Sequence, residues 1–219
     1  MTVPGDLRTA LAGHGLIPRG GFHPAPADGV PGDPATLVIV GNAGPAMWNA
    51  FSRHRPEGPD PLDAWTRAVL ADVAGRFGAT ALFPFDGPPY LPFQRWAMKA
   101  ETVFPSPIGP SIHPVYGLWH AYRGALAFGE RVDLPPHKQA VSPCVTCAGK
   151  PCLSTCPVGA LNPGAYDVPA CTGHLDGPDE TRCLKRGCAA RRACPVGRDF
   201  VYAPAQAEFH MRHFHRANR

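Results

Sequence analysis

Eight cysteines carry the most specific chemistry in this sequence, and all of them fall in one stretch. Cys144, Cys147, Cys152 and Cys156 come first, and Cys171, Cys183, Cys188 and Cys194 follow. Each set closes on the same tetrapeptide, Cys156-Pro157-Val158-Gly159 and Cys194-Pro195-Val196-Gly197. Thiolates are soft ligands, and a cubane iron–sulfur cluster takes four of them at tetrahedral corners. One tight loop can supply three, so the fourth must come from elsewhere in the chain. Other chemistries compete for the same residues. Disulfides need an oxidising compartment, and Met1-Thr2-Val3-Pro4-Gly5-Asp6 shows no basic, apolar leader, so a cytoplasmic location is expected. Zinc sites pair short knuckles across a longer loop, unlike four cysteines within thirteen residues followed by proline. Buried structural thiols rarely cluster in this way. Iron–sulfur ligation is the favoured reading, with zinc as the alternative.

The duplicated set resembles the bacterial ferredoxins that hold two 4Fe-4S clusters, in which the cysteine before proline ligates the other cluster. That resemblance implies one cluster on Cys144, Cys147, Cys152 and Cys194, and a second on Cys171, Cys183, Cys188 and Cys156. The loops are larger than the standard run: four residues separate Cys147 from Cys152, eleven separate Cys171 from Cys183, and five separate Cys188 from Cys194.

The elements that would position these cysteines need about 140 residues of their own upstream, in a chain of 219. Apolar residues make up 44% of it, and no run approaches the length of a membrane span, so no membrane partner is expected. Pro (28) and Gly (24) are abundant but interleaved with apolar segments, which favours a loop-rich fold over disorder. Net charge is +4, and its distribution is uneven: Cys183 to Arg219 holds eight Lys or Arg against Asp199 and Glu208. Such a surface suits an acidic electron donor or a phosphate-bearing ligand, or simply offsets anionic clusters. Nucleic acid is not the expected partner.

Residues 1–35 read as a Pro/Gly-rich N-terminal arm with a helical patch around Leu7 to Leu11. Thr36-Leu37-Val38-Ile39-Val40 has the continuous apolar character of a buried strand, closed by a turn over Gly41 to Gly44 and a helix from Ala46 to His54. The turn lacks the phosphate-binding signatures, so no nucleotide site is expected there. Asp60-Pro61 opens a helix, with Leu62, Trp65, Val69, Val73 and Phe77 as its apolar stripe and Gly78 as its stop. Residues 79–84 read as a second strand. The proline-rich stretch from Asp86 to Trp96 reads as an irregular, pocket-lining loop, and 111–128 carries no clear period. His113 and His120 are read as structural rather than as metal ligands. Gln206 to His215 reads as a closing helix. The order strand, helix, helix, strand points to an α+β or α/β domain.

Ile112-His113-Pro114-Val115-Tyr116-Gly117-Leu118-Trp119-His120-Ala121-Tyr122-Arg123-Gly124, with Asp133-Leu134-Pro135-Pro136-His137-Lys138 beyond it, resembles the IHPxxGxWxAxRG...DLPPRK segment of the MMACHC (cblC-type cobalamin-processing) family. Pro45-Ala46-Met47 and Phe93-Gln94-Arg95 resemble that family's TPAMFDRA and YYQR. The cysteine-rich remainder is similar to the ferredoxin half of epoxyqueuosine reductase, another cobalamin enzyme, with Cys171 as its isolated cysteine. The resemblances imply an α+β fold with three parts: the arm at 1–35, an MMACHC-like domain of flavin-reductase or nitroreductase type at 36–140, and a two-cluster ferredoxin-like domain at 141–219. They also imply cobalamin as a cofactor, with FMN as the alternative. Phe93 and Gln94 would lie against the corrin and Arg123 would match an arginine that grips a glutathione carboxylate, with His113, Tyr116 and Trp119 completing the pocket.

The expectation is therefore a redox protein in which two 4Fe-4S clusters feed electrons to cobalamin, in processing the cofactor or in a cobalamin-dependent reduction. Its partners would be a corrinoid and an external electron donor: a flavodoxin, a ferredoxin or a reductase. The alternatives are a ferredoxin-like electron carrier without a corrinoid site and an FMN-binding nitroreductase-like protein.

Overall fold

The computed structural model describes residues 5–136, 139–177 and 182–219. His137 and Lys138, the end of the DLPPHK segment, lie outside the described residues, as do the first four residues. In chain order the elements are α1 (Gly5–Ala12), β1 (Ile17–Phe22), β2 (Thr36–Ala43), α2 (Ala46–Arg53), α3 (Pro61–Arg76), β3 (Ala79–Leu82), α4 (Phe93–Ala100), β4 (Phe104–Pro105), β5 (Ser111–Ile112) and β6 (His120–Phe128). They continue as α5 (Pro151–Ser154), β7 (Leu161–Asn162), β8 (Ala165–Tyr166), α6 (Val168–Asp176), α7 (Cys183–Arg186), α8 (Ala189–Arg192) and α9 (Pro204–Ala217). Among the described residues no helix is long and apolar enough to cross a membrane. The chain divides into two units, one of Met1–Thr102 with His120–Gln139, the other of Val103–Trp119 with Ala140–Arg219.

The first unit is a four-stranded antiparallel sheet in the order β1-β2-β6-β3. Leu37 and Ile39 of β2 and Ala125 and Ala127 of β6 pack with Phe93 and Trp96 of α4. On the opposite face Gly124 of β6 leaves room for Leu70 of α3, whose side chain a Cβ there would strike. Helices on both faces explain why β2 reads as a continuous apolar run instead of an alternating one. The strand runs on to Ala43, past the expected turn, because Gly41 accommodates the Ala121 carbonyl across a register shift. In α3 the buried row is Leu62, Trp65, Thr66, Leu70, Val73 and Ala74, with Val69 and Phe77 only half-buried.

Three expectations are corrected here. The supposed arm is part of the fold: α1 forms where the helical patch was expected, and β1 pairs with β2 as an edge strand. Ile17-Pro-Arg-Gly-Gly-Phe hides this strand because its glycines serve close approach, with a Cβ at Gly20 colliding with the Ala100 carbonyl and one at Gly21 meeting the Leu37 carbonyl. The proline-rich loop ends in a helix, α4, which starts once Pro92 has passed and places Phe93, Trp96, Ala97 and Ala100 on one buried face. The stretch without a period splits into β5, a tight turn and the long strand β6.

The second unit is built of short elements around the cysteines. The β4-β5 hairpin and the turn after it contribute Ile108, Ile112 and Leu118, which pack with Leu161, Ala190 and Cys194. Residues 103–119 thus belong to the cysteine-bearing unit, whereas the expected boundary lay at 140. The closing helix forms as α9, and its Met211 and Phe214 pack on Leu175, Cys183 and Ala189.

Candidate metal centres and pocket residues

Two cavities in the second unit account for all eight cysteines. Cys144, Cys147, Cys152 and Cys194 line one, together with Pro107, Ile112, Pro195 and Val196. Cys156, Cys171, Cys183 and Cys188 line the other, with Val158, Ala160, Leu161, Tyr166, His174, Ala189, Ala190 and Met211 around them. None of the eight cysteines is in a disulfide.

Local folding explains the convergence. Lys150 and Arg182, each in the left-handed region with φ 38° and 58°, turn the chain into α5 and α7, which carry Cys152 and Cys183. Asp167 caps α6 by accepting a hydrogen bond from the Ala170 amide at 2.9 Å, and so sets the turn that bears Cys171. Gly117, at φ 58°, lies so close to Val196 that a Cβ would collide with the Val196 carbonyl, and Gly197 lies equally close to Tyr116. These two contacts hold the Cys194 loop against the turn at 113–117.

The donor set fits cubane clusters. A single zinc ion would need its sulfurs about 3.8 Å apart, from a Zn–S bond of about 2.3 Å at tetrahedral angles. Among the described residues no three His, Cys, Asp or Glu side chains converge to hold one metal ion. Four thiols spread around an apolar cavity instead leave room for a cluster that brings its own sulfides. The sulfurs are also met by donors: the Ala160 amide donates to Cys156 Sγ at 3.3 Å, the Ala190 and Arg191 amides point at Cys188, and the Val196 amide points at Cys194. Burial pushes the thiols of Cys152, Cys171, Cys188 and Cys194 up, and neighbouring cysteines within each set add to the rise.

The six residues assigned to a pocket by resemblance do not fall in one unit. Phe93, Gln94 and Arg123 are in the first; His113, Tyr116 and Trp119 are in the second. Phe93 is 5% exposed and packs against Trp96 at 5.0 Å, so it has no open face to lay against a corrin ring. Gln94 is exposed, and Arg123 is half-buried on β6. His113 Nδ1 accepts from the Val115 and Tyr116 amides at 3.0 and 3.1 Å, and its ring stacks on Tyr116 at 4.3 Å. Trp119 is buried against Tyr202 at 5.5 Å, with the Arg191 guanidinium 4.7 Å from its ring centroid. Arg191 also donates from Nε to the Leu118 carbonyl at 3.0 Å. In this unit the partners of these side chains include the turn at 113–117, Tyr202 and Arg191, and a sequence motif has no means of separating such contacts from ligand binding.

Sequence reading missed a buried polar knot in the first unit. Arg19, 3% exposed, pairs with Glu101 at 2.8 Å, and Tyr122 donates to Glu101 at 2.8 Å. Burial, then the Glu101 charge, pushes the Tyr122 phenol far above its usual range, so it stays a donor. The signal was thin: an arginine between Pro18 and two glycines carries no period.

No family model matches the chain, and no curated protein does. Solved structures do. The structure of epoxyqueuosine reductase from Streptococcus thermophilus is similar at a TM-score of 0.57 and 14% identity, covering 94% of this chain and 70% of that one. The fold is a mixed α+β fold similar to epoxyqueuosine reductase. A second epoxyqueuosine reductase, crystallised with a tRNA-Tyr epoxyqueuosine-modified stem loop, gives a TM-score of 0.50 at 20% identity over 81% of this chain. The chain spans 54% of that second structure. One solved chain therefore covers both units, where the sequence suggested two resemblances joined.

Proposed function

We propose that this chain is an iron–sulfur electron-transfer protein whose second unit is a two-cluster ferredoxin-like module. The observation that carries the reading is the sorting of eight thiols into two cavities of four, each completed by the cysteine that precedes proline in the other loop. Cys144, Cys147, Cys152 and Cys194 would hold one 4Fe-4S cluster, and Cys156, Cys171, Cys183 and Cys188 the other. When bound, the clusters supply one-electron carriers at potentials that reach strongly negative values. The chain's own contribution is to hold the thiolates, keep the walls apolar, and aim backbone amides at the sulfurs, which sets the potential.

The electrons would serve a reduction of the kind that the names of the structural neighbours describe, on a modified nucleoside in RNA. The neighbour crystallised with a tRNA stem loop runs against the expectation that nucleic acid is not a partner, and that expectation is given up. Exposed Arg182, Lys185, Arg186 and Arg198 on the second unit suit phosphate contacts. Phe93, buried in the core, favours a second reading in which the chain carries electrons without a small-molecule site of its own.

Anaerobic reconstitution tests the first claim. About eight iron and eight sulfide per chain are expected, with EPR signals of two reduced clusters. Zinc in their place would overturn it. Titration of the same sample with cob(II)alamin, FMN and a tRNA stem loop then separates the readings. Binding of the stem loop supports the nucleoside reductase, binding of cob(II)alamin or FMN alone restores the corrinoid or nitroreductase-like alternatives, and binding of none leaves the carrier.

A further inference from the structure

Five residues separate Cys188 from Cys194, where the standard ferredoxin run has three, and ligation of the clusters gives the enlargement no task. It folds as α8, a single helical turn tied at each end to a ligand cysteine. The Arg192 amide donates to the Cys188 carbonyl at 3.0 Å, and the Cys194 amide donates to the Arg191 carbonyl at 3.3 Å. These two cysteines belong to different cavities. Ala190, 0% exposed, stands between them: it lines the cavity of Cys188 and packs with Ile112 and Cys194, which line the other. Arg191 anchors the turn. Its guanidinium donates from Nε to the Leu118 carbonyl at 3.0 Å and from Nη2 to the same oxygen. It also lies 4.7 Å from the ring centroid of Trp119 and 4.6 Å from that of Tyr202, two buried rings set at 64° to each other. On the other side Arg192 donates from Nε to the carbonyl of Gly187, the residue before Cys188, at 3.1 Å.

We propose that Arg191 is a positioning residue that, through α8, fixes the two clusters relative to each other and so sets how strongly they couple. The inference rests on the two-cluster reading above. A ligand held by second contacts keeps one orientation, and the turn between Cys188 and Cys194 supplies such contacts to one ligand of each cluster at once. When each cluster has taken one electron from an external one-electron donor, both carry an unpaired spin, and the dipolar interaction of the spins falls with the cube of their separation. A rigid turn gives a single separation and a defined coupling. A turn without its guanidinium anchor gives a spread of separations, and the coupling broadens and weakens. The arginine acts through the backbone it holds, and it exchanges neither electrons nor protons.

The test is EPR of the reconstituted full chain after complete reduction with dithionite, comparing wild type with Arg191→Met, Tyr202→Leu and Arg212→Met. Tyr202→Leu loosens the anchor from its far side and leaves α8 intact, so it carries the test if Arg191→Met fails to hold both clusters. Arg212, exposed on α9, controls for the loss of one positive charge. The expected result is a spin-coupled spectrum in wild type and Arg212→Met, and a weaker, broadened coupling in Arg191→Met and Tyr202→Leu with iron and sulfide content unchanged. The wild-type coupling retained in both anchor variants would overturn the inference. So would an equal change in Arg212→Met, which would make the effect one of net charge, and so would loss of iron in both anchor variants, which would reduce the arginine to a folding role. If wild type itself assembles fewer than two clusters, it is the cluster reading that fails, and the iron content reports this before any spectrum is compared.

Discussion

Cys156 and Cys194, the two cysteines that precede proline, each line the cavity formed by the other's loop. Removal of one should therefore damage the distant cluster and spare the near one. Cys194→Ser is expected to lower iron from about eight to about four per chain by loss of the cluster on Cys144, Cys147 and Cys152, and Cys156→Ser to lose the opposite one. Iron analysis with EPR of each variant checks the assignment. Loss of the same signal in both would contradict the crossing.

Gly117 has φ 58° and faces the Val196 carbonyl with no room for a methyl group. Gly117→Ala adds backbone strain of about 1–2 kcal/mol to that collision, far from any thiol in sequence. The expected outcome is reduced occupancy of the cluster that uses Cys194, read as lower iron and greater sensitivity to chelator. Gly109, also at positive φ but with open space around it, is the control position. Its alanine variant should retain full iron.

Arg19 and Glu101 form an ion pair with side chains 1% and 11% exposed. Arg19→Met leaves a buried carboxylate without its cation and should destabilise the first unit by about 3–5 kcal/mol. Arg19→Met with Glu101→Gln should recover a large part of that loss. Urea denaturation followed by tryptophan fluorescence measures both, and a double variant no better than the single one would place the cost in packing instead.

Asp28 supplies a pH dependence. A hydrogen bond from Lys99, then one from the Ala25 amide, hold its carboxyl below the usual carboxylate value. Its folded pKa is lower than the unfolded one, so its contribution is complete above about pH 3.9 and is lost as pH falls through the folded value. Asp28→Asn should lower thermal stability at neutral pH and flatten the acid limb below about pH 4, so that variant and wild type converge as the pH falls. An acid limb of unaltered slope in that variant would show that other carboxylates control it.

Legibility in the sequence followed the strength of local signals. The cysteine sets were readable because thiolate chemistry constrains residue type and chain order together, and α3 was readable because Pro61 and Gly78 bracket a clear apolar row. The edge strand β1 was not, since its two glycines are present for what they let approach and hence leave no apolar pattern. Helix α4 was masked by the prolines before it. His113 and Trp119 show a different limit: a motif reports that residues recur together, and the structure shows their interactions, in this chain with a turn and with Tyr202. The allegiance of 103–119 is a long-range property with no local trace at all.

That allegiance changes how the protein can be handled and how it can have arisen. Because Val103–Trp119 returns to the first unit through β6, the backbone passes between the units three times. A fragment starting at 141 would be left without Ile108, Ile112 and Leu118 beneath its first cysteine loop, so the cysteine-bearing part is not a detachable cartridge. On the ribosome, the floor of the first cavity emerges well before any cysteine, and must wait for the last of them, Cys194, before it is covered. The two units are threaded through each other's sequence, and a simple end-to-end joining of two ancestral genes would not produce that order.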